Sequence, residues 1–208
     1  MKSLLVINSS AAREGSVSRE LVEFAVDRLL QDAPQATVRR RDLGANPVPH
    51  LEVATLNGVR GTPTTVVEKA ARALSDELIA ELRAADTIVI GAPMYNFGVT
   101  TSLRAWFDHV LRAGETFSYS AEGPKGLMTN KRVIVIESRG GLYSEGPAAA
   151  IDFQEPYLRH LLGFIGITDV TFIHAEKIGF GPEARSASLA QASTRIASVA
   201  GASLSAAA

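Results

Sequence analysis

The sequence contains no cysteine. Disulfides, thiolate nucleophiles and cysteine-based metal sites are thereby excluded, and a cysteine-free chain fits a cytoplasmic location. Long hydrophobic runs are missing too, and none approaches the ~20 residues that a membrane span requires. The opening Met1-Lys2-Ser3, followed by Leu4-Leu5-Val6-Ile7, is too short for the apolar region of a secretory leader, and no cleavage site follows it. Nor does one sign of charge dominate. Twenty-one Lys and Arg against 22 Asp and Glu leave a net charge of −1, so there is no overall field to draw in nucleic acid or an anionic membrane. What is present is ordinary globular material. The 208 residues are 46% hydrophobic and 21% charged, enough to fill the core of one domain.

Four short apolar runs read as strands: Leu4 to Ile7, Thr87 to Ile90, Val133 to Ile136 and Val170 to Ile173. Each is hydrophobic at consecutive positions, the pattern of a parallel strand covered on both faces. Ala36 to Arg40 alternates and suits a sheet edge, with Arg39-Arg40-Arg41 on its solvated side. Helical spacing marks Arg19 to Leu30, Thr64 to Ala84, Ser102 to Leu111, Pro156 to Phe164 and Ser186 to Val199, with Gly166 as a C-capping glycine. Strands and helices alternate along the chain. Alternation of that kind predicts right-handed crossovers and a doubly wound parallel sheet of five strands with helices on both faces. The flavodoxin-like version, strand order 2-1-3-4-5, matches the element count. The whole chain, 1–208, reads as one such domain. It carries two insertions, about 44–63 and about 113–130, and a tail that frays from about 200. Thr116-Phe117-Ser118-Tyr119 in the second insertion predicts a short hairpin arm.

In this fold ligands bind outside the carboxyl ends of the strands, at the switch point between strands 1 and 3. After strand 1, Ser10 and Ser16-Val17-Ser18 precede and open a helix, and hydroxyls with free amides at a helix start make a cradle for a phosphate monoester. The alternative is that Ser16 only caps the helix. The segment is neither a Walker A loop, for want of a lysine, nor GxGxxG. After strand 3, Met94-Tyr95-Asn96-Phe97 offers a platform for a flat aromatic ligand, or else a satellite core cluster under a loop. After strand 4, Ser138-Arg139-Gly140-Gly141 lets backbone approach a ligand edge, or forms an ordinary turn. Together the three loops outline flavin mononucleotide (FMN).

These residues resemble the bacterial FMN-dependent NADH-azoreductases, also called FMN-dependent NADH:quinone oxidoreductases. The likeness runs through nearly the whole chain. Its most specific pieces are Ala92 to Phe97, Glu137 to Gly141 and Gly163 to Val170, joined by Arg41-Asp42-Leu43 and Leu74 to Ile79. The resemblance implies a flavodoxin-like homodimer that binds FMN without covalent attachment and passes two electrons from NADH to a quinone or an azo compound. It implies phosphate contacts from Ser10, Ser16, Val17 and Ser18, an isoalloxazine lined by Met94, Tyr95, Asn96 and Phe97, and a pyrimidine edge met by Ser138, Arg139, Gly140 and Gly141. Amides near Gly140 and Gly141 would stabilise negative charge on the reduced ring, each by ~3 kcal/mol. No side chain is an evident general acid; Asn96, placed near flavin N5 or O4, is the best candidate for a catalytic contact. The segment Leu142-Tyr143-Ser144-Glu145-Gly146 bears on substrate preference.

Both substrates would use one face of one flavin, so the expected kinetics are ping-pong. Leu51, Val53, Leu56, Phe117 and Tyr119 in the insertions are apolar residues that the sheet does not obviously bury, which predicts a dimer with the cleft at its interface and Tyr119 and Phe164 lining the substrate. The four histidines, His50, His109, His160 and His174, share no metal-ligand spacing, so no metal is expected, and His174 reads as a satisfied residue of a strand. Trp106 and Phe107 read as core. GxSxG is absent, and the strand ends lack the clustered acids of a receiver domain. The rival reading, a flavodoxin-type electron carrier, suits a strongly acidic chain better than this balanced one.

Overall fold

The computed structural model describes residues 1–201. The elements run β1 (Ser3–Asn8), α1 (Val17–Asp32), β2 (Thr37–Asp42), α2 (Val53–Arg60), α3 (Val66–Ala84), β3 (Thr87–Pro93), α4 (Thr101–Val110), β4 (Phe117–Ser120), β5 (Gly123–Gly126), β6 (Arg132–Ser138), a 3-10 turn (Pro147–Ile151), α5 (Glu155–Phe164), β7 (Asp169–Ala175) and α6 (Pro182–Gly201). Five strands form a parallel sheet in the order β2-β1-β3-β6-β7, while β4 and β5 pair by themselves as an antiparallel hairpin. The hairpin lies between the third and fourth sheet strands in the chain, so these strand labels differ from the expected 2-1-3-4-5 numbering. No helix among the described residues is long and apolar enough to cross a membrane.

The consecutive apolar runs are explained by the pleat. Leu5, Ile7, Ile88, Ile90, Val133 and Val135 meet α3, α4 and α5 through Leu78, Ile79, Leu82, Leu103, Trp106, Phe107, Leu158 and Leu162. Their strand neighbours Leu4, Val6, Val89, Ile134 and Ile136 meet α1 and α6 through Leu21, Val22, Val26, Ile196 and Val199. The apolar runs of the central strands are therefore buried on both faces, and β3 is buried at every position. At the sheet edge, β2 is polar. Arg39 and Arg41 reach Glu77 and Glu81 of α3, and Arg40 reaches Glu23 of α1.

The first insertion is not all loop. It holds α2, which the Gly/Pro-rich composition hid, and Arg72 of α3 binds the carbonyls of Gly58 and Gly61 at its end. In the second insertion the hairpin arm forms where expected, but Phe117 is buried in its own subunit, 7% exposed, with its ring 4.6 Å from that of Phe164. It is therefore removed from the residues left for a partner to cover. Helix α6 ends at Gly201, and the rest of the tail expected to fray from about 200 lies outside the described residues.

The hairpin docks on the end of α5. Gly166, at φ +96°, donates to Gly163, and Ile167 donates to Leu162, a Schellman closure. A Cβ on Gly126 would lie 2.1 Å from the Gly166 nitrogen, so only glycine lets the two backbones meet. Replacing Gly126 with Ala should cost about 1–3 kcal/mol. Gly163→Ala, in the same helix with nothing near its Cβ position, should gain about 0.5–1 kcal/mol. Urea denaturation of the pair checks this; equal effects would refute the close docking of hairpin on helix.

Candidate functional site at the carboxyl ends of the strands

Because both faces of the central strands are filled with hydrocarbon, polar chemistry is confined to the strand ends. Three loops meet there. In the first, Ser16 N-caps α1, accepting from the Arg19 amide, and the same hydroxyl lies 2.9 Å from Ser10 Oγ and 3.3 Å from Ser18 Oγ. Capping and cradle are thus one arrangement. Ser10 and Ser18 are buried and Ser16 is half-exposed. The Val17 side chain faces the core, which leaves its backbone for any ligand. At the end of β1, Asn8 Oδ1 is buried and has no hydrogen-bond partner among the described residues. The loop is held from the side by Arg19, whose guanidinium binds the carbonyls of Ser10 and Ala12 and both carboxylate oxygens of Asp42. Arg19 in turn holds the Asp42 carboxyl below the ordinary carboxylate range.

The second loop is a two-residue turn. Tyr95 and Gly98 exchange backbone hydrogen bonds of 3.0 and 3.1 Å, with Asn96 at φ 48° and Phe97 at φ 70°. Two consecutive left-handed residues define a type I′ turn, and an aromatic residue in that conformation is strained, by about 1–3 kcal/mol. The strain presents Tyr95, Asn96 and Phe97 to solvent, while Met94 stays half-buried. The Tyr95 hydroxyl accepts from the Ala11 amide at 3.3 Å, tying this turn to the serine loop, and the Met94 amide donates to Ser138 at 2.9 Å, tying it to the third.

The third loop rests on Arg139. The Arg139 side chain is fully buried and bonded to Glu137, Asp152, Gln154 and Glu176, and its amide and carbonyl bond to Ala175 and Ile178. Its side chain is taken up by the protein on the α5 side, while the Gly140 and Gly141 amides have no partner among the described residues. Pleat alternation carried past the end of β6 would have shown this, since Val133, Val135, Glu137 and Arg139 fall on one face, towards α5. The other polar supports, Asp42 at the end of β2, Gln154 before α5 and Glu176 after β7, were missed; their signal was a polar residue at the end of a sheet strand or at a helix start.

His174 is satisfied as expected, but by charge. Its Nε2 lies 2.7 Å from Glu155 and 3.2 Å from Glu137. The Glu137 hydrogen bond raises the His174 pKa; burial pushes the Glu137 carboxyl up while His174 and Arg139 pull it down. These three residues offer ligand atoms within 4.8 Å of one another, yet the donors of Arg139 and His174 already serve the carboxylates. Tyr119 and Phe164 sit with the hairpin and the end of α5. Tyr119, 73% exposed, and half-buried Phe164 each contact Phe117, and none of their ring contacts is with the loops. A cleft of about 1020 Å³ lies between β7 and α6 and shares Leu142, Ser144, Glu145, His174 and Glu176 with the third loop and its supports.

Comparison with known proteins adds an independent line. A family described as having a flavodoxin-like fold matches residues 2–200. An FMN-dependent NADH:quinone oxidoreductase of Hyphomonas neptunium is 70% identical over 200 residues, covering 96% of each chain. One from Azotobacter vinelandii is 48% identical, covering 96% of this chain and all of that one. Among solved structures, an azoreductase of Bacillus anthracis superposes with a TM-score of 0.88 at 30% identity, over 96% of this chain and 99% of its own.

The cradle is open to a direct test. Replacing Ser16 and Ser18 together with Ala removes two hydroxyls, each worth ~1.5–3 kcal/mol against a charged group. FMN binding, read by quenching of flavin fluorescence, should weaken by more than about tenfold. Turnover of FMN-saturated protein should suffer less. Unchanged affinity would remove the assignment.

Proposed function

Because the chain belongs to the flavodoxin-like family and, within it, to the FMN-dependent NADH:quinone oxidoreductases, we propose that it passes two electrons from NADH to quinones and azo compounds in the cytoplasm. The observation that carries the site is the meeting, at the ends of β1, β3 and β6, of a three-hydroxyl cradle and a strained aromatic turn, bridged by the Tyr95 hydroxyl. FMN, when bound, supplies hydride chemistry that none of these side chains possesses. Ser10, Ser16 and Ser18, with the Val17 amide at the positive end of α1, hold its phosphate. Met94, Tyr95, Asn96 and Phe97 line the ring, with Asn96 at the tip of the turn as the contact nearest N5. Ser138 and the backbone of Gly140 and Gly141 meet the pyrimidine edge. Arg139 acts from below, by fixing that backbone.

One open face of the ring serves donor and acceptor in turn. Steady-state lines for NADH against quinone should therefore be parallel in double-reciprocal form. Intersecting lines would refute a single shared face, and a colourless protein that takes up no FMN would remove the whole reading.

The open face also needs a roof, and we assign that to a second copy of the chain. Val53 (98% exposed), Leu56, Val66 (83%) and Val67 present apolar surface on α2 and the start of α3, and Tyr119 stands free on the hairpin. An apolar patch of this kind on a small domain marks an interface. Tyr119 and Phe164 then line the substrate from across a two-fold axis. Sedimentation over a dilution series, run beside activity assays, should show a dimer whose dissociation abolishes turnover. A fully active monomer would sink the shared cleft.

A further inference from the structure

We propose that Tyr143 is a wall of the electron-acceptor pocket and that Glu176 is the positioning residue holding it there, an inference that rests on the FMN site described above. The chain leaving Gly141 is pinned by a single carboxylate. Glu176 Oε1 accepts the amides of Tyr143 at 2.8 Å and Ser144 at 2.9 Å, and Oε2 accepts the Ser144 hydroxyl at 2.5 Å. Charge balance alone does not require Glu176. The buried Arg139 guanidinium already has Glu137 at 2.6 Å and Asp152 at 3.0 Å, and Glu176 is a third carboxylate on one cation, at 3.2 Å. What it adds is a fixed point for the backbone of residues 143 and 144. Burial pushes its carboxyl up, and the bonds from Ser144, Tyr143 and Arg139 outweigh that and hold it below the ordinary range.

The consequence is the place of the Tyr143 ring. A Cβ on Gly141 would lie 3.0 Å from ring carbon Cε2, so the ring covers that glycine. Its other side meets Phe97 edge-on, with centroids 6.1 Å apart and planes at 79°. Tyr143 thus spans from the backbone assigned to the pyrimidine edge to the aromatic turn assigned to the ring. An acceptor stacked between those loops has this half-buried ring at its side. The segment Leu142 to Gly146 sets preference among acceptors through that one side chain.

The test uses FMN-loaded protein with 2-methyl-1,4-naphthoquinone as acceptor. Tyr143→Ala should raise its KM about five- to tenfold, an aromatic contact's worth. The turnover number and the FMN dissociation constant should stay within about twofold, the pattern of lost ground-state binding. Equilibrium binding of the quinone to the oxidised protein, followed by the change in flavin absorbance, should weaken in parallel. Tyr143→Phe keeps the ring and should restore both values. Glu176→Ala should reproduce Tyr143→Ala, and the double variant should be no worse than either, because Glu176 acts through Tyr143. Glu176→Gln keeps one acceptor oxygen for the two amides and should fall between wild type and Glu176→Ala, which covers the case in which the alanine variant does not fold. Unchanged quinone binding in Tyr143→Ala, or additive losses in the double variant, would overturn the inference while leaving the FMN site standing. Wild-type protein that takes up no FMN would overturn both.

Discussion

The buried guanidinium of Arg139 is the interaction on which the functional end of the molecule depends. A cation with no solvent access is tolerated only if its donors are answered by acceptors and its charge by carboxylates. Here those partners are four residues from three places in the chain: Glu137 on β6, Asp152 and Gln154 ahead of α5, and Glu176 just after β7. Satisfying one side chain therefore locks the strand ends, the segment 142–154 and the start of α5 to one another. Gln154 extends the lock to β3 through the Ala92 carbonyl at 2.8 Å. Removing one partner of such a pair typically costs 3–5 kcal/mol, so the arrangement resists drift. Rigidity of this kind is what a site of opposed loops needs, because a loop displaced by an ångström loses its contact with a flat ligand.

The same constraint explains where strain is stored. The Asn96-Phe97 turn sits between the Ala11 amide, bound by Tyr95, and the Phe153 amide, bound by the Phe97 carbonyl. Fixed at both ends, the turn keeps a left-handed aromatic residue that a free peptide would relax. An exposed phenylalanine and tyrosine at a strand end are costly in water and useful only against an apolar surface laid over them. On the far side of the first loop Arg19 and Asp42 do for the serine cradle what Arg139 does for the glycines: a paired charge holds backbone in place and leaves hydroxyls and amides to meet the ligand.

Much of this was legible from residue order alone. Consecutive apolar runs separated by helical spacing fix a parallel sheet covered on both faces, because period and run length are local properties that follow from the pleat and the helical turn. That placement in turn brings the loops after β1, β3 and β6 together, and Ser10, Ser16, Ser18, Met94 to Phe97, Gly140 and Gly141 do lie there. The short hairpin and the glycine closing α5 were equally local. Helix α2 was not, since its eight residues are flanked by Gly and Pro and contain Asn57-Gly58; packing against α3, not intrinsic propensity, makes it a helix.

Tertiary structure decided the remainder. The direction of Arg139, the burial of Phe117 and the role of Glu176 each depend on contacts between distant residues. Arg139 and Glu176 are 37 positions apart in the chain, Tyr143 and Glu176 are 33 apart, and no local pattern records that they meet. Local sequence specifies which residues form a strand and where it ends. Which charge is buried beneath that end, and which aromatic ring stands beside the ligand, are settled only when separate segments compete for the same few hydrogen bonds.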